Sequence, residues 1–135
     1  MPDQKKMDQY RLLQAAGLAQ FSTCSRRQVG AVLVNREGKI VGEGYNGVSS
    51  GEVHCIDGGC PRGLLAYSDV PAGVDYNLYP CHAVHAEHNA VLLAGAERAK
   101  GGTIYVTDEP CTQCSVLIKH VGIERVVVDD RSRAY

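Results

Sequence analysis

The sequence predicts an α/β domain in which helices cover a mixed sheet. Three observations carry that expectation. A hairpin pattern early in the chain, Gln28 to Val34 then Lys39 to Gly44, turns at Arg36-Glu37-Gly38. The second half alternates helical and strand-like segments. Strands separated by helices need crossover connections, which makes the later strands parallel to one another. With 135 residues, residues 1–135 read as a single domain, long enough to bury a proper core.

Each element follows from local pattern. Asp3 is a natural cap for a first helix to about Gln20, with Met7, Tyr10, Leu13 and Ala16 at helical spacing. Q-V-G-A-V-L-V from Gln28 reads as a buried strand, and Lys39 to Gly44 as its hairpin partner. Residues 45–81 are rich in Gly and Pro with little periodicity, and a stretch of that kind inside a domain is usually functional or tied down. Val84 to Ala94 reads as a helix stopped by Gly95, and Thr103 to Thr107 as a strand. A helix from the Cys111 region to about Val121 and a last strand, Ile123 to Asp129, complete the series. Arg131 to Tyr135 either fray or add a short element.

Composition excludes several classes. The formal net charge is −1, with no run of Lys or Arg, so a basic stripe for nucleic acid is lacking. A small anionic substrate needs only one or two cations and remains open. No stretch approaches the roughly 18 apolar residues of a membrane span, and the N-terminal residues hold no signal core. The chain therefore reads as cytoplasmic with no membrane partner. Six cysteines in that setting suggest metal ligands before disulfides.

Chemistry concentrates in His85-Ala86-Glu87 and Pro110-Cys111-Thr112-Gln113-Cys114. A lone Cys-x-x-Cys could be a redox pair or half of a structural zinc site. Joined to His85, Cys111 and Cys114 supply three soft ligands, and Glu87 is an additional carboxylate that a structural site would not need. Three protein ligands with an open fourth position mark a catalytic zinc. Such a zinc brings the pKa of bound water towards neutrality. Residues i and i+2 lie roughly 200° apart around a helix, so His85 and Glu87 can converge only at a helix N-terminus. Cys111 and Cys114 are expected at the start of a second helix, with Pro110 in its first turn. Two positive helix ends would then favour thiolate and hydroxide. His88 and His120 read as solvated or packed helix residues rather than ligands.

H-x-E followed by P-C-x-x-C is the signature of zinc-dependent nucleobase deaminases. With Gly44-Tyr45-Asn46-Gly47, His85-Ala86-Glu87-His88-Asn89-Ala90, Ser22-Thr23-Cys24-Ser25-Arg26-Arg27-Gln28-Val29-Gly30-Ala31, His54-Cys55 and Gly59-Cys60-Pro61-Arg62, the chain resembles the deoxycytidylate (dCMP) deaminase family over about residues 22–128. The resemblance implies a three-layer α/β/α sandwich, cytidine deaminase-like. It implies hydrolytic deamination of dCMP to dUMP, with zinc hydroxide attacking C4 and Glu87 shuttling protons to N3 and the leaving amine. By the same resemblance Asn46 contacts the sugar, the backbone at Ala86 reads the pyrimidine carbonyl, and Tyr105 lies near the base. Tyr105 has an alternative reading as a core tyrosine. Arg26 and Arg27 are candidates for the 5′-phosphate, against the reading of a solvated pair.

Some family members carry a second, structural zinc, which implies a site formed from Cys24, Cys55, Cys60 and Cys81, with His54 or His82 as substitutes. Buried thiols or a disulfide are the alternatives. A homo-oligomer, dimer or hexamer, is also implied. The chain departs from the family at Val48-Ser49-Ser50-Gly51, where many relatives carry Pro-Arg near an effector site for dCTP and dTTP, so the resemblance leaves that regulation open. Alternative activities are deamination of a 5-substituted cytosine nucleotide or of tRNA adenosine. A further alternative is a non-catalytic zinc protein built on this fold.

Overall fold

A computed structural model describes residues 3–22, 27–48 and 83–129. Helix α1 spans Gln4–Ala19, and Asp3 caps it by accepting hydrogen bonds from the amides of Lys5 and Lys6. Strands β1 (Gly30–Val34) and β2 (Ile40–Tyr45) form the expected antiparallel hairpin. A short ladder joins β3 (Gly47–Val48) to β4 (Ala83–Val84). Then come α2 (Ala86–Ala94), a single turn α3 (Ala96–Ala99), β5 (Thr103–Val106), α4 (Thr112–His120) and β6 (Arg125–Val128).

The main sheet has the order β2-β1-β5-β6. β1 pairs antiparallel with both neighbours, and β5 and β6 run parallel. The sheet is therefore mixed, with its parallel pair in the later half as expected. Strand side chains alternate between faces, and the core splits accordingly. Ala31, Leu33, Ile104 and Val106 pack with Ala86, Ala90, Val91 and Ala94 of α2 and Ile118 of α4. Val32, Val34 and Tyr105 pack on the opposite face with Ala15, Leu12 and Leu18 of α1. Helices thus cover both faces, which is the three-layer sandwich.

The face of α1 differs from the expected stripe. Tyr10 and Leu13 are 53% and 71% exposed, while Ala15 and Ala19 are buried. The helix turns its small residues and Asp8 inward. Asp8 accepts a hydrogen bond from the Tyr105 hydroxyl at 2.7 Å and pairs with Arg125 at 2.9 Å. An apolar periodicity cannot register a helix face whose anchor is a carboxylate.

Helix α2 sits unusually close to β2. A Cβ on Gly42 would lie 2.2 Å from the carbonyl oxygen of Ala90, and one on Gly44 would lie 2.5 Å from that of Ala86. Only glycine permits that approach, and the alanines at 86, 90 and 94 supply the matching small face. Gly95, at φ 79°, ends the helix as expected.

Candidate metal and acid–base site

Both motif segments lie at helix starts. His85 is the N-cap of α2, in extended conformation at φ −70° and ψ 152°. The helix was expected to begin at Val84, but Val84 pairs with Gly47 in the short β3–β4 ladder. That ladder holds His85 outside the helix, so its side chain escapes the 3.6-residue geometry. Glu87 follows in the first turn. The arrangement resolves the i, i+2 problem. Cys111 is likewise an N-cap, at φ −69° and ψ 171°, with its sulfur accepting the Cys114 amide at 3.4 Å. Pro110 therefore stands before α4 and not within its first turn.

The structure brings His85, Cys111 and Cys114 together, one ligand atom from each lying within 4.8 Å of the others. His85 Nδ1 is 3.2 Å from Cys114 Sγ and 3.5 Å from Cys111 Sγ. Zinc bonds of about 2.3 Å to sulfur and 2.0–2.1 Å to nitrogen, at tetrahedral angles, put such a pair roughly 3.5 Å apart. The donor set fits zinc in element and spacing, and among the described residues it supplies three ligands. The N-termini of α2 and α4 both end at this cluster, adding partial positive charge.

Burial pushes the Cys114 thiol far above its ordinary pKa, and the nearby Glu87 carboxylate and Cys111 add to the rise. A bound dication reverses that preference by stabilising the thiolate. Glu87 is only 4% exposed. Among the described residues no Lys or Arg forms an ion pair with it. A buried carboxylate placed beside a metal triad without a cation of its own is suited to carrying a proton.

Asn46 is buried and clamps the approach to β1. Its Oδ1 accepts the Val29 amide at 2.9 Å, and its Nδ2 donates to the Arg27 carbonyl at 2.8 Å. Among the described residues, one Nδ2 hydrogen and one oxygen lone pair have no partner. Ala86 is fully buried in the first turn of α2, where backbone amides have no intrahelical acceptor.

Tyr105 does not join the site. It lies on the α1 face of the sheet, opposite Ile104 and Val106, and its hydroxyl serves Asp8. Burial and the Asp8 carboxylate raise its pKa to about 12, so it remains a donor. The expected contact with the base is corrected to the alternative, a core tyrosine. Strand alternation already contains this answer: a residue between Ile104 and Val106 faces away from α2.

Arg27 reaches Asp108 at 2.5 Å. Arg26, Cys24, Cys55, Cys60, Cys81, His54 and His82 lie outside the described residues. His88 and His120 are exposed and stand apart from the metal triad, in keeping with their sequence reading. The sequence reading missed Thr107 and Asn89. Thr107 Oγ1 accepts the Gly30 amide, and Asn89 Nδ2 donates to the Tyr45 carbonyl. Both tie site segments to the sheet, and no motif spacing signals such contacts.

The family model described as cytidine and deoxycytidylate deaminase zinc-binding region matches residues 5–129. The deoxycytidylate deaminase of Mycobacterium phage D29 is 46% identical over 127 residues, covering 93% of this chain and 95% of that protein. The deoxycytidylate deaminase of Saccharomyces cerevisiae is 39% identical over 127 residues, again 93% of this chain but 38% of the relative. The crystal structure of cyanophage S-TIM5 dCMP deaminase in complex with dCMP and dUMP superposes with a TM-score of 0.68 at 26% identity, over 95% of this chain and 82% of that one. The chain belongs to the cytidine and deoxycytidylate deaminase family.

Proposed function

We infer that the chain is a zinc-dependent hydrolase that deaminates dCMP to dUMP, releasing ammonia. The observation that carries this reading is the buried Glu87 beside a three-ligand His85, Cys111, Cys114 cluster. The named relatives and the dCMP and dUMP complex support the substrate.

His85, Cys111 and Cys114 would hold the zinc. When bound, it supplies water activated for attack near neutral pH. Glu87 receives the proton released by that water. It delivers that proton to N3 of the pyrimidine, then takes the remaining proton from the hydroxyl formed at C4 and delivers it to the departing amine, so one water is consumed and ammonia leaves. Placing the carboxylate in a buried first turn keeps it within one site for both transfers. The Ala86 amide is proposed to donate to the pyrimidine carbonyl, and the open N–H of Asn46 to the sugar. Arg26 and Arg27 are proposed as the phosphate partners.

Cys24, Cys55, Cys60 and Cys81 are proposed to hold a second, structural zinc, with His54 or His82 as substitutes. Among the described residues no helix is long and apolar enough to cross a membrane. We place the enzyme in the cytoplasm, as a homo-oligomer acting on a small nucleotide and not on nucleic acid. The exposed Leu92, Leu93 and Val116 on α2 and α4 support self-association.

Ammonia release from dCMP by protein of counted zinc content tests the reading, with cytidine, 5-methyl-dCMP and a tRNA adenosine substrate alongside. Turnover of dCMP above the others is expected. No turnover of dCMP by the zinc-loaded enzyme would overturn the substrate assignment. About two zinc ions per chain would support the cysteine cluster, and one would remove it.

A further inference from the structure

We propose that Asp108 is a positioning residue for the substrate phosphate, acting through Arg27. The inference rests on the proposed dCMP activity and extends it to a residue that the motif does not contain.

The β1–β5 ladder runs to Ala31 opposite Val106. It continues through a reciprocal pair, the Gly30 amide on Thr107 Oγ1 and the Thr107 amide on the Gly30 carbonyl, each at 3.1 Å. The Arg27–Asp108 ion pair closes the same seam one step further out. On one strand's side the next residues are Glu109, Pro110 and the zinc ligand Cys111. On the other, the Arg27 carbonyl is gripped by Asn46. The Arg27–Asp108 pair thus stands at the end of β5 that leads into the Cys111 segment.

The two partners are held unequally. One Asp108 oxygen, Oδ1, accepts the Glu109 amide at 2.9 Å, and the other accepts Arg27. The carboxylate is therefore fixed by its own backbone. The Arg27 side chain is 59% exposed and has this single contact among the described residues. A guanidinium has five N–H donors in a rigid fork, and four of Arg27's have no partner among the described residues, available to a second oxyanion. A long exposed side chain otherwise samples many rotamers, and fixing one in advance lowers the ordering cost of binding. A phosphate monoester is the ligand chemistry that a one-sided arginine fork suits.

The test compares the wild-type zinc enzyme with Asp108→Asn, Asp108→Glu and Arg27→Met, using dCMP and deoxycytidine. Exposed ion pairs are weak, so Asp108→Asn is expected to raise KM for dCMP about two- to fivefold with kcat and zinc content unchanged. Turnover of deoxycytidine, which has no phosphate, should not move. Arg27→Met should raise the dCMP KM further, and Asp108→Asn should add nothing in that background. Asp108→Glu should recover part of the loss. A fall in KM for dCMP in Asp108→Asn would show that the carboxylate competes with phosphate and would overturn the proposal. Equal losses on both substrates, or loss of zinc, would also overturn it by making the pair a strut for the Cys111 loop. If wild type turns over deoxycytidine but not dCMP, the proposed substrate fails, separately from any effect of Asp108.

Discussion

Two inward-facing carboxylates on opposite faces of the same sheet have opposite surroundings. Asp8, on the α1 face, meets Arg125, the Tyr105 hydroxyl and the Gln4 amide. Glu87, on the α2 face, has no cation among the described residues and lies against the Cys114 thiol. Burial alone would raise the Asp8 pKa, but the donors outweigh it and hold the carboxyl below its ordinary value. A carboxylate saturated with donors stays ionised and acts as a strut. Glu87 instead has the Cys114 thiol of the metal cluster as its neighbour, and no Lys or Arg ion pair among the described residues. Their surroundings, more than their burial, distinguish the two roles.

Stripping the zinc with a chelator is expected to have the largest effect. Activity should vanish and the melting temperature should fall, because metal binding contributes to folding where the ligands converge. The Asp8 face should be untouched, as read by hydrogen exchange of α1. Loosening confined to α1 would invert the comparison.

Gly44→Ala should come next. The added methyl would meet the Ala86 carbonyl at 2.5 Å and the Ala90 amide at 2.8 Å. Helix α2 must then shift, carrying His85 and Glu87 with it. Overpacking of this kind costs about 1–3 kcal/mol, and kcat should fall with stability. Urea denaturation and turnover measure both, and unchanged kcat would mean that α2 does not set the acid's position.

Asp8→Asn should be the mildest, destabilising by about 1 kcal/mol at neutral pH through loss of the charge-assisted bonds. Activity at moderate temperature should persist. The folded-state pKa of Asp8 lies below its unfolded value of about 3.8, so its stabilisation is present above that value and is lost as pH falls through the lower, folded one. Wild type should lose stability over that acid range more steeply than the variant, which thermal melts from pH 5 downwards will show. Parallel curves would mean that Asp8 is not the anchor.

Legibility in the sequence followed locality. The hairpin, α2, α4 and the two motif segments that bring His85, Cys111 and Cys114 together were readable because each rests on spacing within a few residues. Gly95 as a helix stop and Asp3 as a cap were readable for the same reason. The N-cap role of His85 was not, because it depends on Val84 pairing with Gly47 from a distant segment. The inward face of α1 was misread because Asp8 anchors it to Tyr105 and Arg125 across the fold. Tyr105 was placed at the site by resemblance although strand alternation assigns it to the other face. The Arg27–Asp108 pair joins residues far apart in sequence, and no pattern of single residues announces it.

The central claim, that Glu87 moves protons and does not merely fill space, is tested most directly by Glu87→Gln. The substitution keeps size and removes the titrating group. Metal content and melting temperature should match wild type, and ammonia release from dCMP should fall by about 10²–10⁴-fold, the range general acid–base catalysis supplies. Full zinc with near wild-type ammonia release would contradict the account, because the buried carboxylate would then have no part in the chemistry.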